Sequence, residues 1–575
     1  MRGYLKNPMI NRFINDTIYS HIEYTKFEGK VLQTKILSRL QFITQNALAY
    51  FAFPSINTKR YIHSLGTMHL ASHMYKGALL NAKSDVRSLF LKDLYKVILK
   101  IEAELSLKNK IKKCELFEDG ALYQFLVPLQ NAKEKYAYLI SLQALRLVGL
   151  LHDAGHLPFS HQSEYAMQSL YEKLTLQKEH NLKEQKFLDF YEKLTDKNSQ
   201  VLHEAMGVEF TKMLLDYEIL QDFAKDGDRD YIALVYKVVD YILQDASFGG
   251  FDFGVLHSFI DSTIDADRLD YINRDMLASG YIGGAVDLLR IAKQSVLSQK
   301  NQEFKVSFFD SAILDIEHML EMRFNLYKKV IFNHEIAKKD TMLENLILHL
   351  AQEHFKKKTK SKRNDISMLW SFLDATSNQK RLDTISLLDE NWLISLFKEE
   401  YFSLKYSKEK ETQKMLMIFE EVLFGKKYFH SLWKNLNDFY DVLGFSMTQK
   451  YQFRESFGYI SKAKLSILRN SLQNFVSYYE GGKNIAFAYQ IVSFNLGISK
   501  DFSLYSGKAL IPIDEVSTLR KRLKKSMLNT VPFFLYCNKK ALTEQMIESL
   551  RDILILVFEK NREWKPNNGI NSHLT

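Results

Sequence analysis

Apolar residues recur along most of this chain at the spacing of one helix face rather than in strict alternation. Leu89, Leu91, Leu94, Val97 and Ile98 follow that spacing. The Lys/Glu-rich stretch at about 82–135 therefore reads as helical and, from its charge, as an insertion on the surface. Asn15-Asp16 reads as a short turn followed by helical patterns. Ser64–His73 predicts a helix that His63 starts, and Tyr138–Leu151 predicts an apolar helix that delivers His152-Asp153. A second charged insertion spans about 170–200, and helices continue from Val201 to about Leu350. The run Lys356–Arg363 reads as an exposed loop, and 365–485 as helices rich in aromatic residues. Near the end the pattern changes. Asn484–Leu496 and Val531–Cys537 have the composition of strands, and Thr543–Lys560 returns to helix. The expected fold is mainly α. It divides into a helical core over 1–340 carrying the two insertions, a helical region over 341–485 and a small α+β lobe over 486–575. No internal repeat is visible.

Composition sharpens this picture. With 575 residues the chain is too long for one ordinary core, so two or three domains are expected. Only 7 prolines and 23 glycines break it, which favours helices over long irregular stretches. The 78 basic and 68 acidic residues leave a formal charge of +10, compatible with anionic ligands such as nucleotides or nucleic acid. Cys114 and Cys537 are the only cysteines, so no disulfide framework is implied and a reducing cytoplasm fits. The first residues lack the apolar core of a signal peptide. No apolar run approaches a membrane span: Ile553–Phe558 breaks at once into Glu559-Lys560-Asn561-Arg562. The expectation is a soluble cytoplasmic protein with no membrane partner.

Four residues on three separated segments have the character of metal ligands: His63, the pair His152-Asp153, and Asp267. Two neutral imidazoles and two carboxylates suit a divalent metal such as Mn, Fe, Zn or Mg, with positions left for water and substrate. His152 to His161 holds three histidines and an Asp within ten residues, punctuated by Gly155 and Pro158. A core helix has no reason to carry so many ionisable groups, because burying each is costly without a partner. On a helix, Asp267, Tyr271 and Asp275 fall four apart, and Arg268 and Tyr271 three apart. The same stretch also allows a plain salt-bridged helix, with Asp270 and Arg274 paired at i,i+4. His203 is suited to proton transfer near neutral pH, and Glu164 could orient it.

These residues resemble the HD superfamily of metal-dependent phosphohydrolases, whose signature is His, His-Asp and a distant Asp. They are more closely similar to its deoxynucleoside triphosphate triphosphohydrolase branch, which holds bacterial dGTPases and the mammalian SAM-and-HD-domain dNTPase. The likeness rests on Asn15–Glu23, Arg39–Gln45, Phe53-Pro54, Arg60–Gly66, His156–His161, His203-Glu204, Asp267–Asp275 and the final segments Ile513–Ser517 and Phe534–Cys537. It covers roughly 13–75, 140–170, 200–335 and 486–560. The resemblance implies that His63, His152, Asp153 and Asp267 bind the metal. It implies that His156, His203 and Glu164 form the hydrolytic set, with His203 near the α-phosphate. Arg60, His161, Arg268 and Arg323 would contact the triphosphate. Tyr271, Asp275 and Gln45 would face the sugar. The products would be nucleoside and inorganic triphosphate, and the assembly a homo-oligomer.

Some positions depart from the pattern. The family's Leu after the sugar-binding Gln is Asn46, and its Tyr at the sugar 2′ position matches Ile331. The choice between deoxyribose and ribose is therefore open. Gln33 and Gln41 replace the Asp and Arg that read an activating guanine, so no GTP activation through that pair is expected. No SAM domain is expected. Two alternatives remain. One is an HD phosphatase acting on nucleoside mono- or diphosphates or a signalling nucleotide. The other is a single-stranded nucleic-acid binder or 3′-exonuclease, which the basic runs Lys356–Arg363 and Arg520–Lys525 would serve.

Overall fold

The computed structural model describes residues 12–566 apart from 108–110, 112–113, 197–200, 224–225, 282–285, 357–363, 408–412, 458–459, 482–484, 493–501, 508 and 528. The basic loop expected at Lys356–Arg363 falls, beyond Lys356, outside the described residues, as do the ends of the strand expected over Asn484–Leu496.

The chain is mainly α, as its periodicity predicts, and one helix organises the N-terminal half. Helix α1 spans Arg60–Asn81, α2 Ser84–Glu104 and α3 Ala132–Leu151. The Asn131 side chain starts α3 by accepting from the backbone N–H groups of Lys133 and Glu134. Every residue from Tyr136 to Leu151 is buried, so α3 is apolar on all sides because neighbours cover all of it. Those neighbours are α1, α2 and α7 (Asp226–Leu243). Around them lie α4 (His161–Thr175), α5 (Leu182–Thr195), α6 (Leu202–Met213) and α8 (Ala266–Ser279). Helix α8 packs on α1 and on α9 (Ile313–Leu326), while α10 (His334–Lys356) packs on α4.

The two charged stretches read as surface insertions carry buried faces. Phe90, Leu91, Leu94, Val97, Ile98 and Ile101 of α2 lie in the core against α3. Phe187 of α5 meets Trp370 edge to face at 5.2 Å. Charge marks the outer face of these helices and says nothing about the inner one.

Three hairpins interrupt stretches read as helical, the shortest pairing Ser247–Phe248 with Phe251–Asp252. Strands β1 (Phe13–Asp16) and β2 (Ser20–Glu23) pair antiparallel, with Phe13 opposite Glu23. Strands β3 (Ser295–Lys300) and β4 (Glu303–Phe309) pair through a turn at Asn301-Gln302, both with positive φ (51° and 68°). Alternating Phe304, Val306 and Phe308 carry the strand period there, and the helical pattern on both sides hides it.

Toward the C terminus, β5 (His430–Ser431), β6 (Phe487–Ile491) and β9 (Phe533–Cys537) form a sheet in the order β5-β9-β6. All five residues of β9 are buried, which matches its unbroken apolar run. Strands β7 (Ser503–Tyr505) and β8 (Leu510–Pro512) extend the β3–β4 hairpin into a four-stranded sheet through parallel pairing of β4 with β7. The C-terminal segment thus completes a sheet that the β3–β4 hairpin begins. Helix α11 (Glu544–Leu554) is capped by Thr543, close to its expected start. Among the described residues no helix is long and apolar enough to cross a membrane.

Candidate active site

Three helix ends meet at the centre of the N-terminal half. His63 lies in the first turn of α1, His152 caps the end of α3, and Asp267 opens α8 behind Asp265, whose side chain accepts from the Arg268 backbone N–H. The ligand atoms of His63, His152 and Asp153 lie within 4.8 Å of one another and could hold a metal ion. Asp267 Oδ1 lies 2.9 Å from His63 Nε2 and 3.6 Å from His152 Nε2. The other ring nitrogens face acceptors: His63 Nδ1 donates to Asp270 Oδ2 at 2.8 Å, and His152 Nδ1 to the Gly149 carbonyl at 2.8 Å. Because a carboxylate and a carbonyl can only accept, each Nδ1 carries a proton, and each Nε2 is the atom left to offer a lone pair to a cation. Both Nε2 atoms are buried without a hydrogen-bond partner. Two bare imidazole nitrogens converging with two carboxylates fit a divalent cation. Burial opposes protonation of His63, but Asp267 and Asp270 push its pKa up to about 10, so a cation there competes with a proton.

A second cluster adjoins the first. Glu164, in the first turn of α4, accepts at Oε1 from the backbone N–H and the Nδ1 of His203, both at 2.9 Å. Its Oε2 accepts from His161 Nδ1 at 3.1 Å. The His203 ring stacks on His156 with centroids 4.2 Å apart and planes at 13°, and His161 lies edge-on to both. His156, His161, Glu164 and His203 also lie close enough to hold an ion. Here, however, Glu164 already satisfies two imidazoles. Burial works against a charged His203, yet Glu164 raises its pKa. The same contacts hold the Glu164 carboxyl well below its ordinary range despite its burial. Burial and the nearby Arg60 charge lower His156.

Close approach and strain bring the clusters together. A Cβ on Gly155 would lie 2.0 Å from the His203 carbonyl oxygen and 2.3 Å from the Gly207 nitrogen, so α6 reaches the His-Asp turn only because residue 155 has none. Phe159 and Ser160 both have positive φ (60° and 55°), a costly conformation for side-chain-bearing residues. The Ser160 hydroxyl is held on two sides, accepting from Arg60 Nε at 2.7 Å and donating to the Thr44 carbonyl at 2.6 Å.

The remaining candidates divide. Arg60 is buried and donates from Nη1 to Asp153 Oδ2 at 2.6 Å, tying a candidate ligand to the strained turn. Arg268 turns to Asp265 and, at 3.3 Å, to Asp261. Arg323 is buried with Nε and Nη1 unpartnered, its guanidinium 5.6 Å above the Tyr327 ring. Tyr271 lies edge-on to His63 with centroids 6.4 Å apart. Asp275 is 1% exposed with Oδ1 unpartnered. Burial pushes its carboxyl up to about 6, against the neighbouring Asn46 amide, which lowers it. Gln45 Oε1 is also buried without a partner. Asp270 and Ser160 had no candidate role from sequence. Asp270 had been read only as the partner of Arg274, and that pair does form (Nε to Oδ2 2.7 Å). Nothing local to the sequence signals that its carboxylate also meets His63.

No protein-family model matches the chain. An uncharacterized protein of Methanocaldococcus jannaschii is 23% identical over 411 residues, covering 68% of this chain and 65% of that protein. A deoxynucleoside triphosphate triphosphohydrolase SAMHD1 homolog of Dictyostelium discoideum is 22% identical over 330 residues, covering 57% of this chain and 47% of the relative. A putative HD domain-containing protein of Acanthamoeba polyphaga mimivirus is 20% identical over 357 residues, covering 61% and 60%. The crystal structure of a phosphohydrolase from Bacteroides thetaiotaomicron superposes with a TM-score of 0.52 at 17% identity, covering 92% of this chain and all of that one. The chain is similar to these HD-domain and triphosphohydrolase proteins. It spans about half to two thirds of the length of these curated relatives. The His, the His-Asp pair and the distant Asp expected from the resemblance are the residues that converge between α1, α3 and α8.

Proposed function

We propose that the chain is a divalent-metal-dependent hydrolase that cleaves nucleoside triphosphates, deoxyribose or ribose, into nucleoside and inorganic triphosphate. One observation carries this reading: a cation-sized convergence of bare imidazole nitrogens and carboxylates stands beside a histidine tethered by a carboxylate. The relatives named as deoxynucleoside triphosphate triphosphohydrolases support the substrate class.

His63, His152, Asp153 and Asp267 would hold the cation, which when bound supplies Lewis-acid polarisation of a phosphoryl oxygen. His203 carries the proton chemistry. Glu164 fixes its Nδ1–H, so its Nε2 is the edge available to substrate. Glu164 raises the His203 pKa above the ordinary imidazole value, which favours the protonated form and suits it as a general acid for the departing 5′-oxygen. Water attacks the α-phosphorus and gives up a proton, the bond from phosphorus to the 5′-oxygen breaks, that oxygen takes the His203 proton, and the proton released by the water restores His203 through solvent. His156, stacked beneath, holds that ring in place. Arg323, buried with unpaired N–H groups, suits a phosphate, because a buried donor left unmade is costly and a phosphate oxygen satisfies it. Half-exposed His161 would lie at the mouth, and Arg268 would exchange its 3.3 Å contact with Asp261 for phosphate. Arg60 would act from behind, through Asp153. Tyr271, Asp275 and Gln45 would face the sugar, the last two offering buried acceptors to a hydroxyl.

The test is incubation of purified protein with each dNTP and rNTP in Mn or Mg, with products separated by anion exchange and Asp267→Ala as control. Inorganic triphosphate plus nucleoside, lost in the variant, is the expected result. Intact triphosphates under every metal, with phosphate released from monophosphates instead, would overturn the substrate class.

A further inference from the structure

The side of His63 that faces away from the candidate cation is built as carefully as the side that faces it. Asp270 is wholly buried and its carboxylate accepts from three donors. Oδ2 accepts from His63 Nδ1 at 2.8 Å and from Arg274 Nε at 2.7 Å, and Oδ1 accepts from the Tyr19 hydroxyl at 2.8 Å. Arg274 Nη1 in turn ion-pairs with Asp16 Oδ2 at 2.8 Å. Asp16 Oδ1 closes the turn of the N-terminal hairpin by accepting from the backbone N–H groups of Ile18 and Tyr19. The guanidinium also lies 5.6 Å above the Tyr19 ring. Charges alternate along this buried row: Asp16, Arg274, Asp270, then His63. Helix α1 makes room for it at Gly66, one turn after His63. A Cβ there would lie 1.9 Å from Asp270 Oδ1 and 2.6 Å from Arg274 Nη2.

We propose that Asp270 is a positioning residue for the metal centre, fixing the tautomer and ring orientation of His63, and that Tyr19, Arg274 and Asp16 hold Asp270 so that the hairpin Phe13–Glu23 is a working part of that centre. A histidine can offer Nε2 to a cation only while Nδ1 keeps its proton. A carboxylate facing Nδ1 enforces that state and restrains rotation of the ring. The carboxylate is itself a buried charge and holds its place only while donors and a counter-charge surround it. Those are supplied by α8 itself and by a hairpin some 250 residues away in the chain, as the Tyr19–Asp270 separation of 251 positions shows. This inference rests on the reading of His63 as a metal ligand, and its test is independent of the substrate.

The measurement is calorimetric titration of the purified full chain with MnCl2 alone, no nucleotide present, with circular dichroism to confirm folding. Asp270→Asn keeps the size and loses the charge. It is expected to weaken Mn binding by about 10–100-fold, the range for removing a partner behind a ligating histidine, with hydrolysis recovered by excess MnCl2. Asp16→Asn can still close the turn but loses its ion pair, and should weaken Mn binding less. In the Asp270→Asn background it should add nothing, because it acts through Asp270. Asp270→Asn that is folded and binds Mn within about twofold of the parent overturns the proposal; independent addition of the two effects overturns the part played by the hairpin. If Asp270→Asn does not fold, Tyr19→Phe and Asp16→Asn carry the measurement, and unchanged Mn affinity in both overturns it. A parent protein that binds no Mn overturns the metal reading itself, an outcome distinct from all of these.

Discussion

His203 shows how a single side chain acquires a task from its surroundings. Free in solution it would titrate near 6.5, but Glu164 lifts it and points its Nε2 outward. Replacing His203 with Ala should lower kcat by about 10²–10⁴-fold, the usual contribution of a positioned general acid, with a much smaller change in KM. Glu164→Gln makes a sharper prediction. The acid form of His203 is present below its pKa and lost as pH rises through it. Removing the Glu164 charge lowers that pKa, so the high-pH limb of the kcat profile should move to lower pH. A limb that stays in place would mean that His203 is not the acid. Arg323 is the third residue-scale case. Its unpaired N–H groups await an anion, and one charge-assisted bond contributes about 1.5–3 kcal/mol. Arg323→Ala should therefore raise KM for the triphosphate by roughly 10–100-fold, with melting temperature little changed.

At the scale of elements, helix ends and contacts between backbones decide the site. The first turns of α1, α4, α6 and α8 and the last turn of α3 carry its chemistry. The α6 backbone sits directly on Gly155, and the atoms a Cβ would strike belong to backbone, which cannot swing aside. Gly155→Ala should cost about 1–3 kcal/mol, as overpacking in a well-filled core does, and should displace His203 from Glu164. Urea denaturation measures the first effect, and loss of turnover in the fraction that remains folded measures the second. An alanine variant as stable and active as the parent would show that α6 can retreat without consequence. The strained Phe159-Ser160 turn belongs to the same scale, since Arg60, Thr44 and the start of α4 together hold it.

At the scale of the whole molecule, α1, α3 and α8 lock around the candidate cation, so binding it should stabilise the fold. A ligand at a hundredfold excess over its Kd contributes about 2.7 kcal/mol by mass action. Mn should therefore raise the melting temperature, EDTA should reverse the rise, and Asp267→Ala should show neither effect. Differential scanning calorimetry is the direct check, and identical shifts in the parent and the variant would place the bound ion elsewhere. The sheet that joins β3–β4 to β7–β8 ties the C-terminal segment to the same body.

The mainly helical architecture was legible in the sequence because helical periodicity is local: α3 and α11 fall close to where apolar spacing puts them, and α1 contains the expected Ser64–His73 but begins at Arg60 and runs to Asn81. The residues that converge at the candidate site were legible too, since His63, His152-Asp153 and Asp267 are unusual enough in kind and company to stand out against a core. The β1–β2 and β3–β4 hairpins were not, because strands of four to seven residues carry too few alternations to override the helical pattern around them. Nor were the partners. That Arg60 grips Asp153, that Asp270 stands behind His63 and that Glu164 serves two histidines are facts about residues 93, 207 and 39 positions apart. Sequence determined which chemistry this chain carries, because side-chain type and local spacing are its own. Tertiary structure decided which atoms face one another, because a hydrogen bond is made in space and depends on how three helices pack.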